Sequence, residues 1–496
     1  MQKTRDRPKQ KKAKKPFSLK KSFESLKQKL KNLKPKKAKA PKKQKPKAKK
    51  VSLKESFNSF KAKMKNAFKV KIPKKEKTVT PKKQNASKSG KIDFTKAVSG
   101  VFVILALVAI IDVFGNMGGT RTAIKYIEPD IVEDGVVLGF TGLSDSSGEL
   151  TYTDDIANVN SYSLTETGVY VNVSSPLDNM FPFCEIEEFT DSYGNVFVKY
   201  PKCYIKFVTN SDGVIDGFKV SNVQAEEDMF IPDCFLDPSD PEGYTYLDYF
   251  ALGKYEMSGS KTQGYSKSGQ TCLGGITRDN ARTAARSYGD SSNYYNGYQL
   301  QDYSMTVLYN FLCMTYYKTA NIQTVYGGRT GAVSSWTSIS ATGTTDPIEG
   351  LNGWNTTTDC VKMLGIENPY GNQTEWCDGI VFSKTNVYMF RLPHNYSDST
   401  IGANSFAYAR PSTSGFISAF KPGNTAATKS YVFPTEASGS ASTFVGDQAY
   451  YTEAGTALCL GGSLNTSSAG LWCLFGGYDA SVSLMNIGAR LSFRPL

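Results

Sequence analysis

The chain has 496 residues and a formal net charge of +14, a length that allows two or three domains. Residues 1–96 hold 37 Lys and Arg against 5 Asp and Glu, whereas residues 97–496 hold 22 against 40, so the net figure describes neither half. The single histidine, His394, excludes a His-rich metal site, and nine cysteines without a CxxC spacing exclude a zinc motif.

In the basic N-terminal arm (residues 1–93) a pattern occurs twice, as FSLKKSFESLKQKLKNLK from Phe17 and VSLKESFNSFKAKMKNAFK from Val51. Leu19, Phe23, Leu26, Leu30 and Leu33 in the first copy, and Leu53, Phe57, Phe60, Met64 and Ala67 in the second, share a spacing of four, three, four and three. That spacing predicts two amphipathic helices ringed by lysine. Pro16, Pro35, Pro41, Pro46, Pro73 and Pro81, set in Lys-rich tracts, predict a disordered linker around them. Such an arm suits an anionic inner membrane leaflet. Binding to intracellular nucleic acid is the rival reading and ranks below it.

Residues 94–114 follow. From Ala97 to Phe114 only Asp112 is charged, and 18 residues at about 1.5 Å each span roughly 27 Å, close to a hydrocarbon core. The reading is a transmembrane helix, with a buried core helix and a cleaved signal peptide as the alternatives. Lysine before it and none to speak of after it place the N-terminus in the cytoplasm and the acidic bulk outside. The expected location is a single pass through a bacterial cell membrane. The nine cysteines, Cys184 through Cys473, then lie outside, and no disulfide is assigned among them.

After a stalk (residues 115–150) comes a β-rich region (151–245), with segments such as GVYVNVSS and NVFVKYPKCYIKFVTNSDG that read as strands and hairpins. In the last domain (246–496), Arg278–Gly289 and Tyr303–Lys318 carry apolar residues at helical spacing, and NIGARLSF reads as a final core strand. Few helices in a β-rich frame predict an α+β fold. Arg490 and Arg494 are expected to be satisfied structural charges.

Several phrases stand in one order: DNMFPFCEIEEF, YPKCYIKF, YFALGKYEMSG, ITRDNARTAARSYG, NPYGNQTEWCDGI and LGGSLN…NIGARLSF. In that order they resemble phage-tail and bacterial surface proteins with the C-type-lectin-like fold, which is shared with formylglycine-generating enzymes. The resemblance covers roughly residues 151–496. Its C-terminal piece is similar to the variable region of diversity-generating retroelement targets, whose ligand-binding codons are rewritten by copying errors at adenines. Together with the membrane anchor read at 94–114, it implies a cell-surface binding protein with a variable segment at 464–487. The ligand-binding residues would be Asn465, Ser467, Trp472, Leu474, Phe475, Tyr478, Asp479, Ser481 and Ser483, facing an extracellular protein or glycan. From Leu464 to Ile487 there is no Lys, Glu or Gln, in keeping with adenine errors in Asn codons, although Trp472 and Met485 are not reachable that way. Aromatic, small and polar side chains also suit an adaptable recognition surface. The alternatives are a glycine-rich loop that closes a core and, for Trp472, a core aromatic. A fixed-specificity lectin-like adhesin is the second functional reading.

Catalysis is not expected. The copper-binding cysteine pair of the fold family's oxidase has no match after Ser463, where Leu464, Asn465, Thr466, Ser467 and Ser468 stand. Glu375 and Asp378, in TEWCDG, read as core hydrogen bonders. No cofactor is expected and no metal site is assigned, although Asp233, Asp237, Asp240 and Glu242 offer oxygens of the kind calcium takes.

Overall fold

The computed structural model divides the chain into residues 1–123 and 124–496. It describes residues 135–495 apart from 241–242, 244, 289–295, 332–338, 384, 399–404, 426–427, 453–456 and 464–468. The arm (1–93), its two amphipathic repeats and the apolar stretch 94–114 lie outside the described residues.

The helix Tyr303–Tyr317 is built from YSMTVLYNFLCMTYY, apolar on every side, and all but Ser304 of it is buried. A helix without a polar face belongs inside a core. Asp302 caps its start by accepting from the Met305 N–H (3.1 Å). Around it pack sheets whose apolar residues converge on its rings: Phe311 meets Phe140, Phe207, Phe218 and Trp472. A second helix, Arg278–Ala285, starts at Thr277, which accepts from the Asn280 N–H (3.2 Å).

A four-stranded sheet joins Thr151–Asp154, Val137–Thr141, Ile215–Ser221 and Tyr204–Thr209 in that order. A five-stranded antiparallel sheet runs Tyr298–Leu300, Leu491–Phe493, Tyr249–Gly253, Val196–Pro201, Glu187–Thr190, so strands from 151–245 and from beyond 246 share one ladder. A second five-stranded sheet ends in the hairpin Ser163–Thr167 and Tyr170–Ser174. A six-stranded mixed sheet runs Gly415–Phe416, Gln448–Tyr451, Leu474–Tyr478, Ala457–Leu460, Thr374–Cys377, Ile487–Gly488.

Buried charges tie these layers. Arg490 donates to both oxygens of Glu375 (2.6 and 3.1 Å) and to the carbonyls of Gly253, Lys254, Glu367 and Asn368. Arg494 donates to Asp302 (2.7 Å), Gln299 (3.0 Å) and the Cys234 carbonyl (3.2 Å). Arg282 grips both oxygens of Asp378. The two C-terminal arginines and the pair Glu375 and Asp378 are thus bonded core charges. All nine cysteines are free; eight are buried and Cys184 is exposed.

Two expectations are corrected. The fold is β-rich and not α+β: among the described residues 27 strands stand against two α-helices. The helical spacings at 278–289 and 303–318 are real but mark short elements of eight and 15 residues inside a frame of sheets. The transmembrane helix, and with it the single-pass membrane location, is not supported: residues 94–114 lie outside the described residues, and among the described residues no helix is long and apolar enough to cross a membrane.

Candidate ligand-binding surface

On one face of the six-stranded sheet, strand alternation aligns Trp376, Cys459, Phe475 and Tyr450, since Trp376 pairs with Cys459, Cys459 with Phe475, and Phe475 with Tyr450. The first two are covered. Trp376 donates its indole N–H to the Ile276 carbonyl (2.7 Å), and Ala281, Ala284 and Ala285 of the helix Arg278–Ala285 belong to the same core cluster. Beyond Cys459 the cover stops. Phe475 is half-buried and Tyr450 is 45% exposed.

Three rings form a shelf there. Tyr450 and Phe475 stack with centroids 4.8 Å apart and planes 15° off parallel, and Tyr478 follows Phe475 at 4.6 Å. Gly477 lies beneath them: a Cβ there would stand 2.8 Å from the Phe475 ring and 2.9 Å from Tyr450. Any side chain at 477 would prise the stack open. Partial burial raises the Tyr478 pKa, so its hydroxyl stays protonated and able to donate at neutral pH.

From Asp479 to Met485 the chain leaves the strand as a loop whose main chain is held at several points while most of its side chains are exposed. The carbonyls of Ala480 and Leu484 accept from the N–H groups of Arg278 (3.0 Å) and Gly275 (2.9 Å), and the Met485 carbonyl accepts from Gln373 Nε2 (3.1 Å). The backbone of Met485 passes so close to Gly274 that no Cβ fits there. Inside the loop, Val482 N–H donates to the Asp479 carbonyl and Ser481 N–H to the Asp479 carboxylate (2.9 Å). Asp479, Ser481, Ser483, Leu484 (41%) and Met485 (58%) are exposed. Of these side chains only Asp479 and Ser483 contribute to the loop's shape, Ser483 by donating to the Gly275 carbonyl (2.5 Å).

The structure thus brings Phe475, Tyr478, Asp479, Ser481 and Ser483 together on one surface. Trp472 and Leu474 lie elsewhere, fully buried. Trp472 packs on Phe311 and Phe420, and its indole N–H points to Met314 Sδ (3.2 Å). Its backbone N–H is held by Asp447 (2.8 Å), which also accepts from Gln323 Nε2 (2.5 Å). Burial pushes the Asp447 carboxyl up to about 7 against those two donors. Asn465 and Ser467 lie outside the described residues. Sequence reasoning missed Tyr450, Leu484 and Met485. Tyr450 reaches the shelf only through the parallel pairing of Gln448–Tyr451 with Leu474–Tyr478, which no local spacing signals.

The acidic residues considered for calcium are engaged within the protein. Asp233 pairs with Arg391 (3.1 Å), Asp237 accepts from Ser239 N–H (2.7 Å) and Asp240 from Thr245 N–H (2.8 Å). Glu242 lies outside the described residues. Burial lowers the His394 pKa.

No family model matches the chain, and no curated protein matches it. Among solved structures, the major tropism determinant U1 variant is similar, with 14% sequence identity and a TM-score of 0.24 over 73% of this chain and 73% of that one. An overlap this loose fixes no residue correspondence and no ligand.

Proposed function

We propose that the protein is a recognition protein and not an enzyme. It binds an external protein or glycan through the surface formed by Tyr450, Phe475, Tyr478 and the loop Asp479–Met485, and the part of this surface within 464–487 is the diversified segment of a diversity-generating retroelement target. One observation carries the reading: the loop's main chain is fixed largely by backbone contacts, through the carbonyls of Ala480, Leu484 and Met485, while most of its side chains are exposed. Contacts of that kind survive substitution, so the loop keeps its shape while its chemistry changes. Exposed aromatics supply contact area with few rotamers to lose, and a rigid sheet stands behind them.

The test is to sequence the coding segment for residues 460–496 in many sibling isolates. Substitutions should gather at Phe475, Tyr478, Asp479, Ser481 and Ser483, with Trp472, Leu474, Ile487 and Arg490 constant and an adenine-bearing near-copy beside a reverse-transcriptase gene. An invariant segment with no template nearby would overturn diversification and leave a fixed-specificity adhesin.

A further inference from the structure

A second concave site lies on a different sheet from the aromatic shelf. A groove of about 530 Å³ is lined by the hairpin residues Thr165, Thr167, Asn172, Val173 and Ser174 on one side. Asp178, Phe183, Cys184, Ile186 and the 349–351 turn line the other. That volume is in the range of small-molecule sites.

Its two walls differ in chemistry. Because Thr165 pairs with Asn172 and Thr167 with Tyr170 across the hairpin, period-two alternation sets Thr165, Thr167, Asn172 and Ser174 on one face of a rigid ladder. The hydroxyls of Thr165, Thr167 and Ser174 make no hydrogen bond to any described residue. Asn172 is oriented by its Oδ1, which accepts from the Glu349 N–H (3.0 Å), leaving its amide N–H groups unused. Opposite, Phe183 and Ile186 lie at the floor of the groove, nearly buried, and Phe183 is braced edge-on by Tyr316 at 5.3 Å. Asp178 is held by the Tyr316 hydroxyl (2.6 Å) and the Ser175 N–H (2.8 Å), one on each oxygen, so each oxygen keeps an unused lone pair.

We propose that this groove binds a neutral saccharide unit of one or two rings. Hydroxyls that both donate and accept match ligand hydroxyls, which also both donate and accept. Leu351, half-buried in the lining, is the apolar side chain left open to the C–H face of a sugar ring. No Lys, Arg or His lines the groove while Asp178 and Glu349 do, which selects against phosphate and carboxylate ligands. A cation is served less well, because each Asp178 oxygen already accepts one hydrogen bond and the facing Asn172 amide presents donors.

Cys184 makes the proposal measurable in the full-length protein. It lines the groove and is the exposed thiol among nine, the other eight being buried. Its pKa is raised by partial burial and by Glu185, so labelling with a maleimide is best followed at about pH 8. The probes are maltose, lactose, cellobiose and diacetylchitobiose, each added alone. For a Kd of about 1 mM, about 10 mM sugar slows labelling about ten-fold. At least one of the four should do so, and the effect should vanish in Thr165→Val, an exposed isosteric change, and in Asn172→Ala, with thermal midpoints of both variants near that of the parent. The proposal is overturned if none of the four sugars slows labelling, if slowing persists in both variants, or if glucose 6-phosphate or spermidine slows it as well as any sugar.

Discussion

Asp447 is a carboxylate without a cation, and replacing it by Asn should change how stability responds to pH. Buried beneath Trp472, it titrates at about 7 in the folded protein, against about 3.9 in an unfolded chain. The folded state therefore holds a proton that the unfolded state has released across the window from about pH 4 to pH 7. With a raised carboxyl pKa the unfolded chain binds fewer protons there, so stability falls as pH rises. Between about pH 5 and pH 8 the loss amounts to roughly 2 pKa units of proton binding, or about 3 kcal/mol. In Asp447→Asn the side-chain oxygen can still accept from the Trp472 N–H, and Gln323 can turn its amide to accept from the new NH2 group. The variant should lack this term. Urea unfolding of both proteins, followed by tryptophan fluorescence across that pH range, measures it. Glu256, Glu367 and Glu375, also raised by burial, contribute with the same sign to both proteins and cancel in the comparison. Parallel pH profiles for parent and variant would refute the reasoning.

Trp472 and Phe475 stand three residues apart but should behave oppositely. Trp472→Ala should cost about 3–5 kcal/mol, as for other buried aromatics, and Phe475→Ala only about 1 kcal/mol; urea midpoints decide, and equal losses would contradict the burial described. Arg490→Ala leaves Glu375 as an uncompensated buried charge and should cost about 3–5 kcal/mol at neutral pH, with part of the loss recovered on acidification as Glu375 takes up a proton. If stability were unchanged, the Arg490 cluster would not hold the layers together. Added calcium should leave the thermal midpoint within about 1 °C, since Asp233, Asp237 and Asp240 are each bonded to protein donors. A rise of several degrees would show that the loop prefers the ion.

What the sequence makes legible is local. Helical spacing finds both helices to within a few residues because an unbroken run such as YSMTVLYNFL leaves no strand alternation to compete with it. NIGARLSF reads as one core strand because Ile487, Leu491 and Phe493 alternate with small or polar residues, yet it forms two, Ile487–Gly488 in the six-stranded sheet and Leu491–Phe493 in a five-stranded one. Asp479, Ser481 and Ser483 read as surface because no apolar period includes them. What stays illegible is set by pairing over distance. Trp472 and Phe475 look alike in a glycine-rich run, and only the register of Leu474–Tyr478 against Ala457–Leu460 and Gln448–Tyr451 decides which faces Phe311 and which faces solvent. The same register brings in Tyr450. The fold class is misjudged for a related reason: two clear helices stand out in a sequence, whereas short strands of two to seven residues announce themselves weakly and yet make the frame.

The strand Leu491–Phe493 comes just after the exposed loop in the chain but sits inside a ladder, between Tyr298–Leu300 and Tyr249–Gly253. On the ribosome, that slot stays open until translation has passed through the loop's codons. A frameshift or premature stop among those codons deletes an interior strand together with the Arg490 and Arg494 ties, so such a product lacks a completed core and is exposed to proteases. An in-frame substitution in the loop leaves the slot filled. The interior position of this strand therefore makes the fold sensitive to loss of the reading frame in the loop and tolerant of substitutions there.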